Sequence, residues 1–213
     1  MEVLTDPEPR QRRLANKKWV RASIAGHFFV RITLSAALIG CTSSIHWHLT
    51  DVSGHLPNLK FALASDSGNL VTAKTFKGKL VLMYFGFTSC VAECPITMSR
   101  LSHVLQKLGA DADWTRILFV TLDPNRDTPA VLHRYLTSFD PAHMVGVSGT
   151  KDNILNLVKR YRSAYRPGGE TGDISHSSTV YIFDAEGRAR LLFTPQDSDE
   201  DLTRDLIALM YER

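Results

Sequence analysis

The chain has 213 residues, of which 44% are hydrophobic and 22% are charged. This length and composition suit one globular domain with an N-terminal extension, and they exclude a collagen-like, disordered or disulfide-dense protein. The formal net charge of +3 is uneven, because residues 1–31 carry a net +4 and leave −1 for the rest. The basic excess therefore does not indicate a nucleic-acid partner.

Residues 1–41 have the order of an export signal. A basic segment precedes the apolar residues 32–39, which are fewer than the roughly 20 residues that span a bilayer as a helix. The ending Leu38-Ile-Gly-Cys41 resembles a bacterial lipoprotein signal, in which cleavage before the cysteine precedes its lipidation. We predict an export signal or membrane anchor with Cys41 as a candidate lipidation site; an uncleaved anchor with an incidental cysteine is the alternative. Either places the remaining chain on the periplasmic or extracytoplasmic side of a bacterial membrane.

Residues 42–60 show no sustained hydrophobic period and contain several histidines, a tryptophan and a proline. This pattern predicts a tether that leads to a domain of residues 61–213. His46 and His48 have side chains that bind metals, but a mobile linker is the preferred interpretation of the segment.

Strand and helix patterns alternate through residues 61–213. Continuous apolar runs predict buried strands at 80–85 and 117–122, and a shorter strand is predicted at 144–147. Periodic apolar residues predict one helix that begins at Pro95 and three more, at 130–139, 153–161 and 199–211. Residues 180–183 and 189–193 predict an antiparallel hairpin. The order indicates an α/β domain with helices on both faces of a largely parallel central sheet, and the C-terminal β-hairpin is compatible with a thioredoxin-like sheet.

Cys90 and Cys94 lie in the predicted loop between strand 80–85 and the helix that follows it. Functional groups of α/β sheets gather at this kind of loop, and a helix N-terminus favours a thiolate. Two thiolates suit either dithiol–disulfide exchange or the binding of Cu(I), zinc or an iron–sulfur cluster, and two thiolates alone leave a metal ion under-coordinated, so a third ligand is expected. His176 precedes the predicted hairpin and is a candidate third ligand, although a lone histidine is more often structural.

Several motifs resemble the SCO/SenC family in the same order along the chain. They are Phe85-Gly-Phe-Thr-Ser-Cys90, Cys94-Pro95, Thr121-Leu-Asp-Pro124, Arg126-Asp-Thr-Pro129, Gly146-Val-Ser-Gly-Thr150, and His176-Ser177 before Val180-Tyr181. The resemblance implies a thioredoxin-like fold and copper, as Cu(I) or Cu(II), bound by Cys90, Cys94 and His176. It also implies a role in building the copper A centre of cytochrome c oxidase, with the oxidase subunit, other copper chaperones or thiol reductants as partners. The family commonly has proline where this chain has Val91, which puts affinity in more doubt than ligand identity.

A thiol–disulfide oxidoreductase is the alternative function. Such enzymes usually have two residues between their cysteines and a cis-proline facing them, whereas this chain has three residues and Ser175-His176. These departures favour a metal carrier without enzymatic turnover, although Cys90 and Cys94 remain a candidate redox-active pair. A purely structural disulfide is a third interpretation.

Three other residues invite a functional interpretation, and a structural one is preferred for each. Asp123 is expected to shape a turn, and a side chain that faces the cysteine loop from the end of the next strand is the alternative. Asp127 is expected to cap the helix that follows it, together with Thr128. Met98 lies on the periodic apolar face of its helix and is expected to pack in the core.

Overall fold

A computed structural model describes residues 46–166 and 174–212 of the chain. The predicted export signal or anchor of residues 1–41, including Cys41, lies outside the described residues, and so do residues 42–45. Within the described ranges, the helices are too short or too polar to cross a membrane.

The described chain contains ten strands and four α-helices. The strands are β1 (Thr50–Asp51), β2 (Ala62–Ser65), β3 (Leu70–Thr72), β4 (Leu80–Gly86), β5 (Thr115–Thr121), β6 (Met144–Ser148), β7 (Tyr165–Arg166), β8 (Ser175–His176), β9 (Val180–Phe183) and β10 (Ala189–Phe193). The helices are α1 (Glu93–Leu108), α2 (Pro129–Thr137), α3 (Lys151–Arg160) and α4 (Asp199–Tyr211). Each predicted strand and helix of residues 61–213 is present, with bounds that differ by two residues or fewer.

Strands β4, β5 and β6 form the parallel centre of an eight-stranded sheet whose order is β1-β10-β9-β4-β5-β6-β2-β3. Helices α1 and α2 are the crossovers that parallel pairing requires. The other five ladders are antiparallel and include the predicted hairpin of β9 and β10. Parallel pairing is thus confined to the centre of the sheet. Strand β1 extends one edge and strands β2 and β3 extend the other, all by antiparallel pairing, and β2 and β3 have no predicted counterpart.

The central strand β4 separates two hydrophobic clusters. Leu82 and Tyr84 face the apolar residues of α1, α2 and α4, whereas Met83 and Phe85 face those of α3. This alternation follows from the period of two in a strand, and it places helices on both faces as predicted. All seven residues of β4 are buried, and each large apolar side chain contributes about 1.5–3 kcal/mol by leaving water. The strand therefore gives the loop after Gly86 a rigid base.

Residues 47–60 are part of this domain, and the prediction of a tether over residues 42–60 with a boundary at 61 is wrong for them. The N–H groups of His48 and Leu49 donate to the buried Asp205 carboxylate of α4 at 2.9 and 2.8 Å. Strand β1 pairs with β10, and Leu49 and Leu59 are buried in the two hydrophobic clusters. A two-residue strand and one distant carboxylate hold the segment in place, and neither produces a periodic pattern of apolar residues in the sequence.

Candidate metal centre

Cys90 and Cys94 lie on either side of the point where α1 begins. Cys90 lies in the loop of residues 87–92 (the cysteine loop), and Cys94 is the second residue of the helix and is fully buried. The Cys94 N–H points to Cys90 Sγ at 3.4 Å. Because Ala92 at the N-cap has no acceptor side chain, this sulfur takes the position of a capping group. Both thiols are free, and the helix dipole favours negative charge on them.

His176 reaches the cysteines from a distant part of the chain. It lies in β8, which pairs with β7 so that His176 is opposite Tyr165. Nδ1 of His176 lies 2.9 Å from the Ser177 carbonyl oxygen. Since a carbonyl only accepts, Nδ1 carries the proton and Nε2 keeps its lone pair, which is the usual arrangement of a metal-ligating histidine. Nε2 lies 3.4 Å from Cys94 Sγ.

The ligand atoms of Cys90, Cys94 and His176 all lie within 4.8 Å of one another. Bonds of about 2.0–2.3 Å to nitrogen and sulfur place the ligands of a three-coordinate ion roughly 4 Å apart, so the cluster has room for one metal ion. Cys90 and His176 are half-buried while Cys94 has no exposed surface. The arrangement therefore presents two soft sulfurs and one imidazole at a site that a partner protein can reach.

Tyr84 and Phe87 hold the candidate ligands in place, and neither is predicted from the sequence. Both rings pack edge-on against the His176 imidazole, with centroids 5.9 and 5.6 Å away. The Tyr84 hydroxyl also donates to Cys94 Sγ at 3.6 Å. A tyrosine in the buried apolar run of β4 has a hydroxyl that needs a hydrogen-bond partner. This feature of the sequence would have indicated that Tyr84 has a role beyond packing.

Asp127 has a different role from the predicted helix cap. Thr128 is the N-cap of α2 and accepts from the Val131 N–H, as predicted. The Asp127 carboxylate instead bonds Thr88 in the cysteine loop and Thr121 at the end of β5. A buried aspartate gives no sequence signal that separates it from a capping one.

Asp123 and Met98 have the structural roles expected of them. Asp123 shapes a turn, in which its carbonyl oxygen accepts from two backbone N–H groups and its carboxylate pairs with Arg126. Met98 is fully buried in the cluster beneath α1. Asp123 contributes no ligand atom to the cluster.

Burial raises the pKa of the Cys94 thiol to about 12. Hydrogen bonds from the Phe87 backbone and the Tyr84 hydroxyl oppose this rise but do not cancel it. Burial likewise raises the pKa of Tyr84, so its hydroxyl stays protonated and donates to the sulfur. At neutral pH the Cys94 sulfur is thus a thiol that gives up its proton when a metal displaces it.

Known proteins share both this fold and this sequence pattern. The SCO1/SenC family model matches residues 53–211. The SCO2-like protein of Rickettsia felis is 34% identical over 133 residues, which are 60% of this chain and 64% of the relative. Protein sco1 of Schizosaccharomyces pombe is 33% identical over 151 residues, which are 68% of this chain and 57% of that protein. The chain thus spans 57–64% of the length of these curated relatives.

Solved structures of similar proteins contain copper. Bradyrhizobium japonicum ScoI with copper bound has a TM-score of 0.64 and 35% identity, and the match covers 71% of this chain and 98% of that one. Yeast Sco1 with copper bound has a TM-score of 0.66 and 31% identity, with 74% and 91% covered.

The fold and the site define the class: a thioredoxin-like domain with a Cys–Cys–His cluster at the end of its central strands. The match over residues 53–211 then settles the family, and the chain belongs to SCO1/SenC. The resemblance predicted from the sequence is therefore confirmed.

Proposed function

We propose that this chain is a copper metallochaperone that binds one copper ion through Cys90, Cys94 and His176. The observation that carries the proposal is the convergence of their ligand atoms within 4.8 Å in a member of the SCO1/SenC family. Copper-bound relatives at 35% and 31% identity support the choice of metal. Thiolates suit Cu(I) and imidazole suits Cu(II), so this mixed set accommodates both oxidation states.

Delivery of the ion is the second part of the proposal. Cys90 and His176 are half-buried, so incoming ligands of a partner reach the ion from solvent and replace these two side chains first, and the bond to the buried Cys94 sulfur breaks last. The family resemblance supports the copper A centre of a cytochrome c oxidase subunit as the destination, and other copper chaperones or thiol reductants as further partners. Residues 1–41 would hold the domain at the extracytoplasmic face of a bacterial membrane.

Copper titration of the reduced full chain tests this function. We expect one copper per chain, and we expect the variant with both Cys90→Ser and Cys94→Ser to retain none, because a single imidazole does not compete with a chelator. Mixing the loaded chain with the copper A domain of its own oxidase should then produce the copper A absorption spectrum. Copper-free wild-type protein after titration, or full loading of the double variant, would contradict the proposal.

A thiol–disulfide oxidoreductase is the second candidate function, favoured by two free thiols at a helix N-terminus. Its weakness is the buried Cys94, whose raised pKa opposes the thiolate that must resolve the mixed disulfide once Cys90 has attacked the substrate. This candidate predicts catalytic reduction of a disulfide substrate by the copper-free chain, with His176→Ala leaving the rate unchanged. The metallochaperone predicts no turnover in that assay.

Copper affinity is expected to rise with pH. The Cys94 thiol has a pKa of about 12, so it is protonated near neutral pH and must lose its proton to bind the ion. Each pH unit between about pH 7 and pH 9 should therefore raise the Cu(I) affinity at least tenfold, since one displaced proton gives a slope of one. Competition with a chelator of known pH dependence measures the slope. Cys94→Ser should lower the slope by one unit, and an affinity independent of pH would refute the assignment of Cys94 as a ligand.

A further inference from the structure

Three aspartates are buried in the described part of the chain, and each binds backbone N–H groups of a distant or local segment. They are Asp127, Asp184 and Asp205, with 1%, 3% and 2% exposure. Burying a carboxylate costs free energy unless hydrogen-bond donors surround it. Each of these aspartates therefore depends on the donors of one segment, and its hydrogen bonds hold that segment in place. Asp184 holds the turn between β9 and β10, and Asp205 holds the N-terminal segment of the domain.

Asp127 collects donors from the cysteine loop. Its Oδ2 accepts from the Thr88 N–H at 3.0 Å and from the Thr121 hydroxyl at 2.5 Å, and its Oδ1 accepts from the Thr88 hydroxyl at 2.5 Å. Thr121 is the last residue of β5, and Thr88 lies two residues before Cys90. The carboxylate therefore ties the loop that carries Cys90 to the end of the neighbouring strand.

The cysteine loop has few other attachments. The Cys90 N–H donates back to the Phe87 carbonyl oxygen, and the remaining hydrogen bonds of residues 89–92 lie within the loop or go to α1. Among the described residues, only Asp127 hydrogen-bonds residues 88–92 to an element outside β4 and α1. Asp127 is itself fixed, because its N–H donates to the Asp123 carbonyl oxygen at 2.9 Å and Thr128 begins α2.

We propose that Asp127 is a positioning residue for copper binding, which holds Cys90 Sγ within reach of Cys94 and His176. This inference rests on the proposed function. A carboxylate only accepts hydrogen bonds, so both of its oxygens suit the three donors. In Asp127→Asn the amide oxygen can still accept from the Thr88 N–H and the NH₂ can donate to the Thr88 hydroxyl, but these hydrogen bonds no longer involve a charged carboxylate and hold the loop less firmly. The ion then loses a pre-arranged sulfur, and affinity falls although all three ligands remain.

The test compares Asp127→Asn with Asp205→Asn in the full chain. The two variants are matched, since each removes the charge of a buried carboxylate that accepts two or more hydrogen bonds. The Asp205 carboxylate bonds His48 and Leu49 and not the cysteine loop. We expect Asp127→Asn to lower the Cu(I) affinity about tenfold or more and to shift the Cu(II)–thiolate absorption band and EPR spectrum. Asp205→Asn should lower the thermal unfolding temperature while affinity and spectra stay at wild-type values.

Variants of Thr88 carry the same test if Asp127→Asn does not fold. Thr88→Val removes one donor to the carboxylate and should weaken copper binding and shift the spectra, whereas Thr88→Ser keeps the hydroxyl and should restore both. Equal effects of Asp127→Asn and Asp205→Asn on copper, or wild-type spectra in Thr88→Val, would overturn the positioning role. A wild-type chain that binds no copper would instead overturn the proposed function, and this inference with it.

Discussion

Replacement of His176 by alanine is expected to lower Cu(II) affinity at least about 100-fold, because loss of a ligand should exceed the roughly 10–100-fold cost of losing a residue that supports one. The Nε2 lone pair is directed to the cluster by the hydrogen bond from Nδ1 to the Ser177 carbonyl oxygen. The two remaining thiolates are soft ligands that favour Cu(I) over Cu(II), so the Cu(I) affinity should fall much less. Chelator competition for each oxidation state, together with the Cu(II) EPR spectrum, measures the difference.

The fold should tolerate the loss of this side chain. His176 is half-buried in a two-residue strand, and its ring contacts Tyr84 and Phe87 edge-on. His133→Ala is a matched control, since that imidazole is exposed on α2 and bonded to Asp66. Wild-type Cu(II) affinity in His176→Ala, or an equal loss in His133→Ala, would exclude His176 as a specific ligand.

The central strands and the helices are predictable from the sequence because their patterns are local. The apolar runs of β4 and β5 and the periodic faces of α1 and α4 specify strand, helix and burial without knowledge of the rest of the chain. The edges of the domain are not predictable in this way. Residues 47–60 are fixed by Asp205, more than 150 positions along the chain, and no local pattern reports such a contact.

The residues of the site also differ in how far the sequence indicates them. The cysteines are indicated by residue type and position on the strand-to-helix loop, whereas His176 depends on the family resemblance, since a lone histidine carries no period. The residues that support them are missed, because Tyr84 resembles any core aromatic residue and Asp127 any helix cap. Their roles depend on which atoms they face: a sulfur at 3.6 Å for Tyr84 and the loop N–H of Thr88 for Asp127.

Gly86 shows how tightly the site is built into the core. It is the last residue of β4, and a Cβ added there would lie 3.0 Å from Cys94 Sγ and 2.9 Å from Cε2 of the Phe119 ring. That ring packs between Tyr84 and Tyr135, with centroids 6.0 and 5.6 Å away, so it has little freedom to retreat. The sulfur and the helix that carries it are therefore the groups that must move.

Gly86→Ala is expected to destabilise the copper-free protein by about 1–3 kcal/mol, as an added methyl in a packed core does. It should also lower Cu(I) affinity roughly 10–100-fold, because the displaced Cys94 no longer matches the other two ligands. Denaturant unfolding measures the first effect and chelator competition the second.

Gly146→Ala separates the two effects. Its Cβ would lie 2.8 Å from Cδ1 of Leu136, the flexible tip of a side chain, and 3.2 Å from Cβ of Leu132, in a strand that carries none of the three candidate ligands. We expect a smaller loss of stability than in Gly86→Ala, and copper affinity at the wild-type value. If both variants lost copper affinity in proportion to their stability, the cluster would depend on the general rigidity of the domain. If Gly86→Ala alone lost it, the close packing of strand β4 against Cys94 is what sets the position of the sulfur.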